Sequence, residues 1–118
     1  MKYAKSHEWV KKDGDIYLVG ITDYAQKEMG DIVYVELPEV GAEISCGQDV
    51  CELESVKAVA PVTSPVSGVV CEVNPDLEDN PALVNEDAEN CWLYKVENAV
   101  LSGELMDEEE YKNYLKTL

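Results

Sequence analysis

Short segments rich in β-branched and aromatic residues are separated by polar turn residues along most of the chain. The first three run from Glu8 to Lys11, from Ile16 to Ile21 and from Ile32 to Leu37. Because Val, Ile, Tyr and Trp favour extended backbone, these segments predict β-strands. Lys12-Asp13-Gly14-Asp15 lies between the first two and contains the Asp-Gly pair typical of tight turns, so we expect a hairpin there.

The interval between the second and third strands has the end signals of one short helix, from Thr22 to Gly30. Thr22 can cap the N-terminus of this helix, and Asp23 lies in the first turn, where the helix dipole favours negative charge. Gly30 suits the left-handed conformation that commonly ends a helix.

From Pro38 to Val96 the chain returns to short strand-like segments interrupted by turn-forming residues. This pattern predicts an all-β sandwich or barrel rather than alternating strand–helix–strand units. The interrupting residues are Gly41, Gly47, Pro61, Pro65, Gly68, Pro75 and Pro81.

The last segment, Asp107 to Leu118, predicts an amphipathic helix that docks on the rest of the protein. Asp107 is a suitable N-cap, and acidic residues fill the first turn, as the helix dipole favours. An apolar face is expected because four large residues recur at helical spacing. These are Tyr111, Tyr114, Leu115 and Leu118.

The size and charge of the chain limit its partners. At 118 residues without a long linker, it is expected to form a single domain, residues 1–118. Its formal charge of −16 argues against nucleic acid and anionic membranes as partners. Basic protein surfaces are the natural partners, although the same charge is explained equally well as keeping a small monomer soluble.

No targeting or membrane segment is apparent. The N-terminus lacks the apolar region of a secretory signal, and no apolar run reaches the roughly 20 residues that cross a bilayer. We therefore expect a cytoplasmic protein whose four cysteines are reduced thiols. A zinc site is disfavoured because Cys46, Cys51, Cys71 and Cys91 lack the paired short spacings of such sites.

One lysine stands out by its surroundings. Between Glu28 and Tyr94 there are fifteen carboxylates, and Lys57 is the only basic residue. It lies at the junction of two strand-like segments, where its flexible stem would project an amine from a hairpin tip. Such a lysine is suited to carry a covalent swinging arm. From the residues alone, a solvated lysine loosely paired with Glu54 remains the alternative.

The sequence around this lysine resembles a known motif. Glu54-Ser55-Val56-Lys57-Ala58 looks like the lipoylation motif of the glycine cleavage H-protein family, and the likeness extends over most of the chain. The other similar segments are Lys2 to Trp9, Val19 to Gln26, Met29 to Val33, Glu36 to Gly41, Ser64 to Gly68 and Pro81 to Asn85, in the family's order.

This resemblance implies a fold, a cofactor and site residues. The fold would be a lipoyl-domain-like β-sandwich or flattened barrel, known as a barrel-sandwich hybrid. Lipoate would be attached covalently to Lys57, and the enzymes that attach it would read Glu54, Ser55, Val56 and Ala58. Biotin carriers flank their lysine with methionines, so the neighbours here favour lipoate. Two residues would contact the arm in a cleft, Ser6 and Glu8.

The resemblance also implies a carrier and not an enzyme. The arm would take an aminomethyl group from a pyridoxal-phosphate glycine decarboxylase to a tetrahydrofolate-dependent aminomethyltransferase. Dihydrolipoyl dehydrogenase would reoxidise it, and a lipoate ligase or lipoyltransferase would attach it. No nucleophile-elbow sequence signals a Ser-His-Asp triad, and the single histidine, His7, is expected to be a strand residue with an ordinary hydrogen bond. Cys51 is a candidate for thiol exchange with the arm.

Two departures from the family pattern leave other functions open. The family has an aspartate four residues after the lipoyl lysine, where this chain has Pro61, and the segment from Glu86 to Cys91 is altered. These changes keep open a paralogue that relays lipoate or serves another redox pathway. A non-lipoylated acidic interaction module or a metal-binding module is a more distant alternative.

Overall fold

The computed structural model describes all residues from 1 to 118 and contains nine strands and four helices. The strands are β1 (Lys2–Tyr3), β2 (Glu8–Asp13), β3 (Ile16–Ile21), β4 (Ile32–Glu36), β5 (Glu43–Ile44), β6 (Asp49–Ser55), β7 (Val59–Thr63), β8 (Val66–Val73) and β9 (Tyr94–Leu101). The helices are α1 (Asp23–Met29), α2 (Asp76–Asp79), α3 (Leu83–Glu86) and α4 (Glu108–Leu115).

The strands form two antiparallel sheets that do not close into one barrel. One sheet has six strands in the order β1-β2-β3-β9-β8-β5, and the other has three in the order β4-β6-β7. Apolar side chains from both sheets meet in one buried cluster, which includes Val19, Val70 and Val96 from the larger sheet and Val35 and Leu53 from the smaller. The predicted mainly-β sandwich is confirmed.

The N-terminal elements follow the sequence prediction closely. Strand β3 has the predicted bounds, and the β2–β3 hairpin turns at Gly14, whose φ is +62°. Thr22 caps α1 by accepting a hydrogen bond from the Ala25 amide, and Gly30 ends the helix at a φ of +79°. Local capping and turn chemistry therefore determine this part of the fold.

The expectation of strands alone between Pro38 and Val96 is wrong at two places. Helices α2 and α3 lie there, and each is only four residues long. One turn of helix is too short to display a 3.6-residue apolar period, so the sequence pattern does not reveal it. Each helix still buries one apolar side chain, Leu77 in α2 and Val84 in α3.

The C-terminal helix forms as predicted but is shorter. Asp107 and Glu110 make a reciprocal capping box at its start. Its buried residue, Tyr111, packs with Tyr3, Trp9 and Met106 in a second, smaller apolar cluster. The expected contribution of Leu118 to the apolar face is wrong, because the helix ends at Leu115 and Leu118 is exposed.

None of the helices combines the length and apolar character needed to cross a bilayer.

Candidate functional site

Lys57 lies at the tip of the hairpin that joins β6 to β7. Only Val56, Lys57 and Ala58 separate the two strands, and all three are exposed. The protein contains three ion pairs, and none of them involves Lys57. The Lys57 amine is therefore accessible and is not paired with Glu54.

Ser55 organises the turn from beneath. Its hydroxyl accepts hydrogen bonds from the amides of Lys57 at 3.2 Å and Ala58 at 3.0 Å, and it donates to the Ala58 carbonyl at 3.2 Å. The Ser55 amide also donates to that carbonyl at 2.8 Å. Because Ser55 is buried, these bonds fix the backbone that carries the lysine.

The segment between α1 and β4 supports the tip from one side. The Val56 amide donates to the Asp31 carbonyl at 3.1 Å. The stem of Lys57 lies over Gly30, where an added Cβ would be 2.9 Å from the lysine Cε. Gly30 thus serves two purposes, since it ends α1 at positive φ and leaves room for the lysine stem.

Asn85 holds this supporting segment in place. Its side-chain amide nitrogen donates to the Gly30 carbonyl and to the Gln26 side chain, both at 2.9 Å, and its side-chain oxygen accepts from the Ile32 amide at 2.9 Å. Helix α3, which carries Asn85, is therefore coupled to the lysine tip through Gly30 and Asp31.

The remaining residues of the predicted motif face solvent. Glu54 is exposed on the outer face of the three-stranded sheet, where it pairs with Tyr34 on one side and Val59 on the other. Val56 is 69% exposed, which makes it one of the most exposed large apolar residues in the protein. All four motif residues around Lys57 lie within the hairpin, but Ser55 alone among them is buried.

Ser6 and Glu8 come together with a third polar residue, Thr63 at the end of β7. A Glu8 carboxylate oxygen accepts hydrogen bonds from the Ser6 hydroxyl and, at 3.0 Å, from the Thr63 hydroxyl. Burial raises the pKa of Glu8, and the two hydrogen bonds partly offset this shift by stabilising the carboxylate. All three residues line an open cleft of about 1060 Å³, bounded on the far side by α4.

One strand connects the tip to this cleft. Residues 59, 61 and 63 of β7 point to the same face, since side chains alternate along a strand. Val59 and Pro61 are exposed and apolar, and Thr63 reaches the Glu8 carboxylate about 13 Å further along the strand. Pro61 is tolerated because β7 is an edge strand of its sheet.

The structure corrects the expectation for Cys51. Its thiol is buried, and burial raises its pKa to about 12, so almost none of it is thiolate at neutral pH. The exposed thiol is that of Cys46, which lines the cleft with Ser6 and Glu8. No three or more His, Cys, Asp and Glu side chains converge in a way that could hold a metal ion.

His7 is not a strand residue, because β2 begins one residue later, at Glu8. It has a φ of +72°, and its Nδ1 is hydrogen-bonded at 2.8 Å to the hydroxyl of Tyr111 in α4. His7 therefore joins the second strand to the terminal helix.

Three residues that matter for the site were missed in the sequence: Gly30, Thr63 and Asn85. Gly30 was interpreted only as a helix end. Thr63 follows Lys57 by six residues, so strand periodicity would have placed it on the face of Val59. Asn85 ends the segment Pro81 to Asn85, whose likeness to the family was noted without a role for its amide.

An accessible lysine on a braced hairpin, in a sandwich of two small sheets, is the arrangement expected of a carrier of the swinging-arm class. The family model of the glycine cleavage H-protein matches residues 1–118. The chain belongs to the glycine cleavage H-protein family.

Individual proteins agree with this assignment. A protein of Pyrococcus horikoshii described as a probable glycine cleavage system H protein is 57% identical, over 98% of this chain and 90% of that protein. The glycine cleavage system H protein of Treponema denticola is 50% identical, over 98% and 95% of the two chains. The crystal structure of the H protein from Mycobacterium marinum superimposes with a TM-score of 0.89 at 38% identity, over 99% of this chain and 96% of that one.

The family carries covalently attached lipoate on a lysine, and its members are carrier subunits that work with the enzymes of glycine cleavage. The chain is accordingly a lipoyl carrier and not an enzyme. The alternative of a paralogue in another pathway is not favoured, because the relatives that match nearly the whole chain are described as glycine cleavage system H proteins.

Proposed function

We propose that Lys57 is the lysine that bears the lipoyl group. The observation that carries this proposal is the position of Lys57 at an exposed tip with no ion pair. The turn is fixed by Ser55, so a modifying enzyme meets a defined backbone with an accessible amine. An exposed amine on a rigid support fits covalent attachment of a long arm.

The residues along β7 suit an arm with apolar methylenes. When bound, lipoate supplies a cyclic disulfide that can be opened, loaded and closed again. Val59 and Pro61 offer an apolar path away from the tip, and Ser6, Glu8 and Thr63 form a polar end to the cleft. A largely buried carboxylate at that end favours a positively charged group in the cleft, because opposite charges attract more strongly where the solvent screens them less.

The enzymes that would use this carrier follow from the same proposal. Glycine decarboxylase would load the arm, the aminomethyltransferase would unload it, and dihydrolipoyl dehydrogenase would reoxidise it. A lipoate ligase or lipoyltransferase would attach it. The net charge of −16 favours basic docking surfaces on these enzymes. We further propose that residues 1–118 act as one domain, as a monomer in the cytoplasm.

The test is intact-protein mass spectrometry after incubation with a lipoate ligase, ATP and lipoate. We expect a single lipoyl-sized mass gain, which peptide mapping assigns to Lys57 and which Lys57→Ala abolishes. Lys12→Ala is the matched control, because Lys12 is another exposed lysine close to a hairpin turn. A mass gain that persists in Lys57→Ala, or no gain with several ligases, would contradict the proposal.

A further inference from the structure

Exposed apolar residues are concentrated around the lysine tip. Eight large apolar residues are strongly exposed in the whole protein. Four of them belong to the tip or to the strands beside it: Val33, Tyr34, Val56 and Val59. Scattered apolar residues need no explanation, but clustering at one end of one sheet is typical of an interaction surface.

A β-bulge contributes to this cluster. The pairing of β4 with β6 shifts between Ile32 and Tyr34, so an extra residue is inserted in β4. As a result Val33 and Tyr34 are both exposed, although they are adjacent in a strand. A regular strand would have buried one of the two side chains. Bulges commonly redirect a side chain next to a functional site.

The side chains form ordered rows on the outer face of the three-stranded sheet. Tyr34, Glu54 and Val59 are directly opposite one another on β4, β6 and β7, and this row is the one nearest to Lys57. Directly opposite side chains lie about 5 Å apart at Cβ, so the row is continuous. The next row consists of Glu36, Glu52 and Pro61. We call these two rows, together with Val56 in the turn, the tip face.

The charges of the tip face have one sign. Glu36, Glu52 and Glu54 are all exposed carboxylates, and Asp31 lies beside the turn. None of the three ion pairs of the protein involves these four carboxylates, so they are not neutralised by a direct cation contact. An apolar patch with an acidic surround is complementary to an apolar patch with a basic surround.

We propose that the tip face is the docking surface for the enzyme that attaches lipoate to Nζ of Lys57. This inference rests on the proposed function of Lys57 and identifies the surface that its modifying enzyme reads. The enzyme presents an apolar pocket to Tyr34 and Val59, with basic residues around it facing the three carboxylates.

The position of the reacting atom, Nζ of Lys57, identifies the enzyme that binds the tip face. In the attachment step, Nζ bonds to the carboxyl carbon of lipoyl adenylate, AMP leaves as the carbon–oxygen bond to its phosphate breaks, and the lysine ammonium gives up two protons. The enzyme must therefore surround the lysine itself, and the Tyr34 row lies at the base of its turn. Enzymes that act at the far end of a finished arm need no contact so close to the tip.

The test measures steady-state kinetics of lipoylation with a purified ligase, ATP and lipoate, with the carrier as varied substrate. Tyr34→Ser and Val59→Ser should each raise the KM for the carrier by about tenfold, as expected for truncating a central interface residue. The kcat should stay near that of the unsubstituted chain, and Tyr34→Phe should restore most of the affinity. Added salt should raise the KM of the unsubstituted chain.

Val100→Ser is the matched control, because Val100 is another strongly exposed strand valine, on the other sheet. Its KM should not change, and circular dichroism should show that all variants are folded. Failure of the unsubstituted chain to be modified would overturn the proposed function of Lys57. Normal modification with an unchanged KM in Tyr34→Ser and Val59→Ser would overturn the docking surface alone. The docking surface would also be overturned if these variants bound glycine decarboxylase weakly but kept the KM for the ligase.

Discussion

At the scale of single residues, the tip depends on one small hydroxyl. Ser55 belongs to the recognition motif that the sequence indicated, yet its side chain is buried and turned towards its own backbone. It accepts from two amides that the three-residue turn would otherwise leave without partners in the protein. Ser55 therefore acts on the shape of the tip, and Glu54 and Val56 are the members of the motif that a partner can touch.

Replacing this hydroxyl should loosen the turn. We expect Ser55→Ala to lower the free energy of unfolding by about 1–3 kcal/mol, because two partly buried backbone amides lose their acceptor. Urea denaturation measures the change. Ser45→Ala is the control, since Ser45 is exposed and its hydroxyl makes no hydrogen bond in the structure. Equal stability of the two variants would show that the Ser55 hydroxyl does not support the turn.

The sequence could identify Lys57 but not its supports. Isolation among carboxylates singled out this lysine, and resemblance to a family motif supplied the chemistry. The position of Thr63 at Glu8 depends on how two sheets face each other. Likewise, the bonds of Asn85 to Gly30 and Ile32 join residues more than fifty positions apart. No local pattern encodes such long-range contacts.

At the scale of elements, the junction between α1 and β4 depends on helix α3. Asn85→Ala removes three hydrogen bonds, so we expect the free energy of unfolding to fall by about 2–3 kcal/mol. Hydrogen exchange should become faster at the amides of Ile32 and Val56, which are tied to this junction. Asn90→Ala is the control, because exposed Asn90 makes one side-chain hydrogen bond, to Asp87. Unchanged hydrogen exchange at the Val56 amide would show that the junction does not stabilise the lysine tip.

The contact between His7 and α4 should make stability depend on pH. Burial lowers the pKa of His7, and the nearby carboxylate of Glu28 on α1 only partly offsets this effect. Its ring lies against Tyr24 of α1 and against Tyr111 and Tyr114 of α4. In the unfolded chain His7 takes up a proton near its ordinary pKa of about 6.5. The folded protein therefore loses stability as the pH falls through this value, because it resists that protonation.

Thermal unfolding between pH 7.5 and 5.5 tests this expectation. The melting temperature should fall with pH in the unsubstituted protein and change less in His7→Asn, since Asn tolerates the positive φ at this position. Burial raises the pKa values of Glu8 and Glu89, so these two groups gain protons more readily in the folded state and act in the opposite direction. A parallel fall in both proteins would exclude His7 as the cause.

Element prediction was most accurate where chemistry is local. Thr22, Gly30 and Asp107 mark helix ends through capping, which neighbouring residues decide. Helices α2 and α3 are not predictable from the sequence pattern, because each consists of a single turn. Each is stabilised mainly by burying Leu77 or Val84 in a core formed by distant strands.

At the scale of the whole molecule, repulsion among carboxylates should limit stability. The formal charge is −16, and the three ion pairs lie partly or largely exposed at the surface, where each contributes little. We expect the free energy of unfolding to rise when sodium chloride is increased from about 10 mM to 0.5 M, because salt screens like charges. An uncharged osmolyte series provides the control. A fall with salt would mean that the ion pairs outweigh the repulsion.

The sandwich as a whole could be predicted from the spacing of turns, because many short strands of similar length favour two packed sheets. The order of the strands could not be predicted, because β9 lies between β3 and β8 and brings the last third of the chain back to the first third. That return places α4 on one side of the cleft that Ser6 and Glu8 line.

Pro61 gives β7, the strand that follows the lysine tip, a further property. An edge strand with free amide and carbonyl groups invites a second molecule to extend the sheet, which is how aggregates begin. β7 is such an edge, and it lies beside an exposed apolar face. A proline in its middle cannot donate a ladder hydrogen bond, so self-association along β7 is interrupted where it would otherwise start. The hairpin can therefore expose apolar side chains to an enzyme, while pairing of β7 with a second copy of the chain is disfavoured.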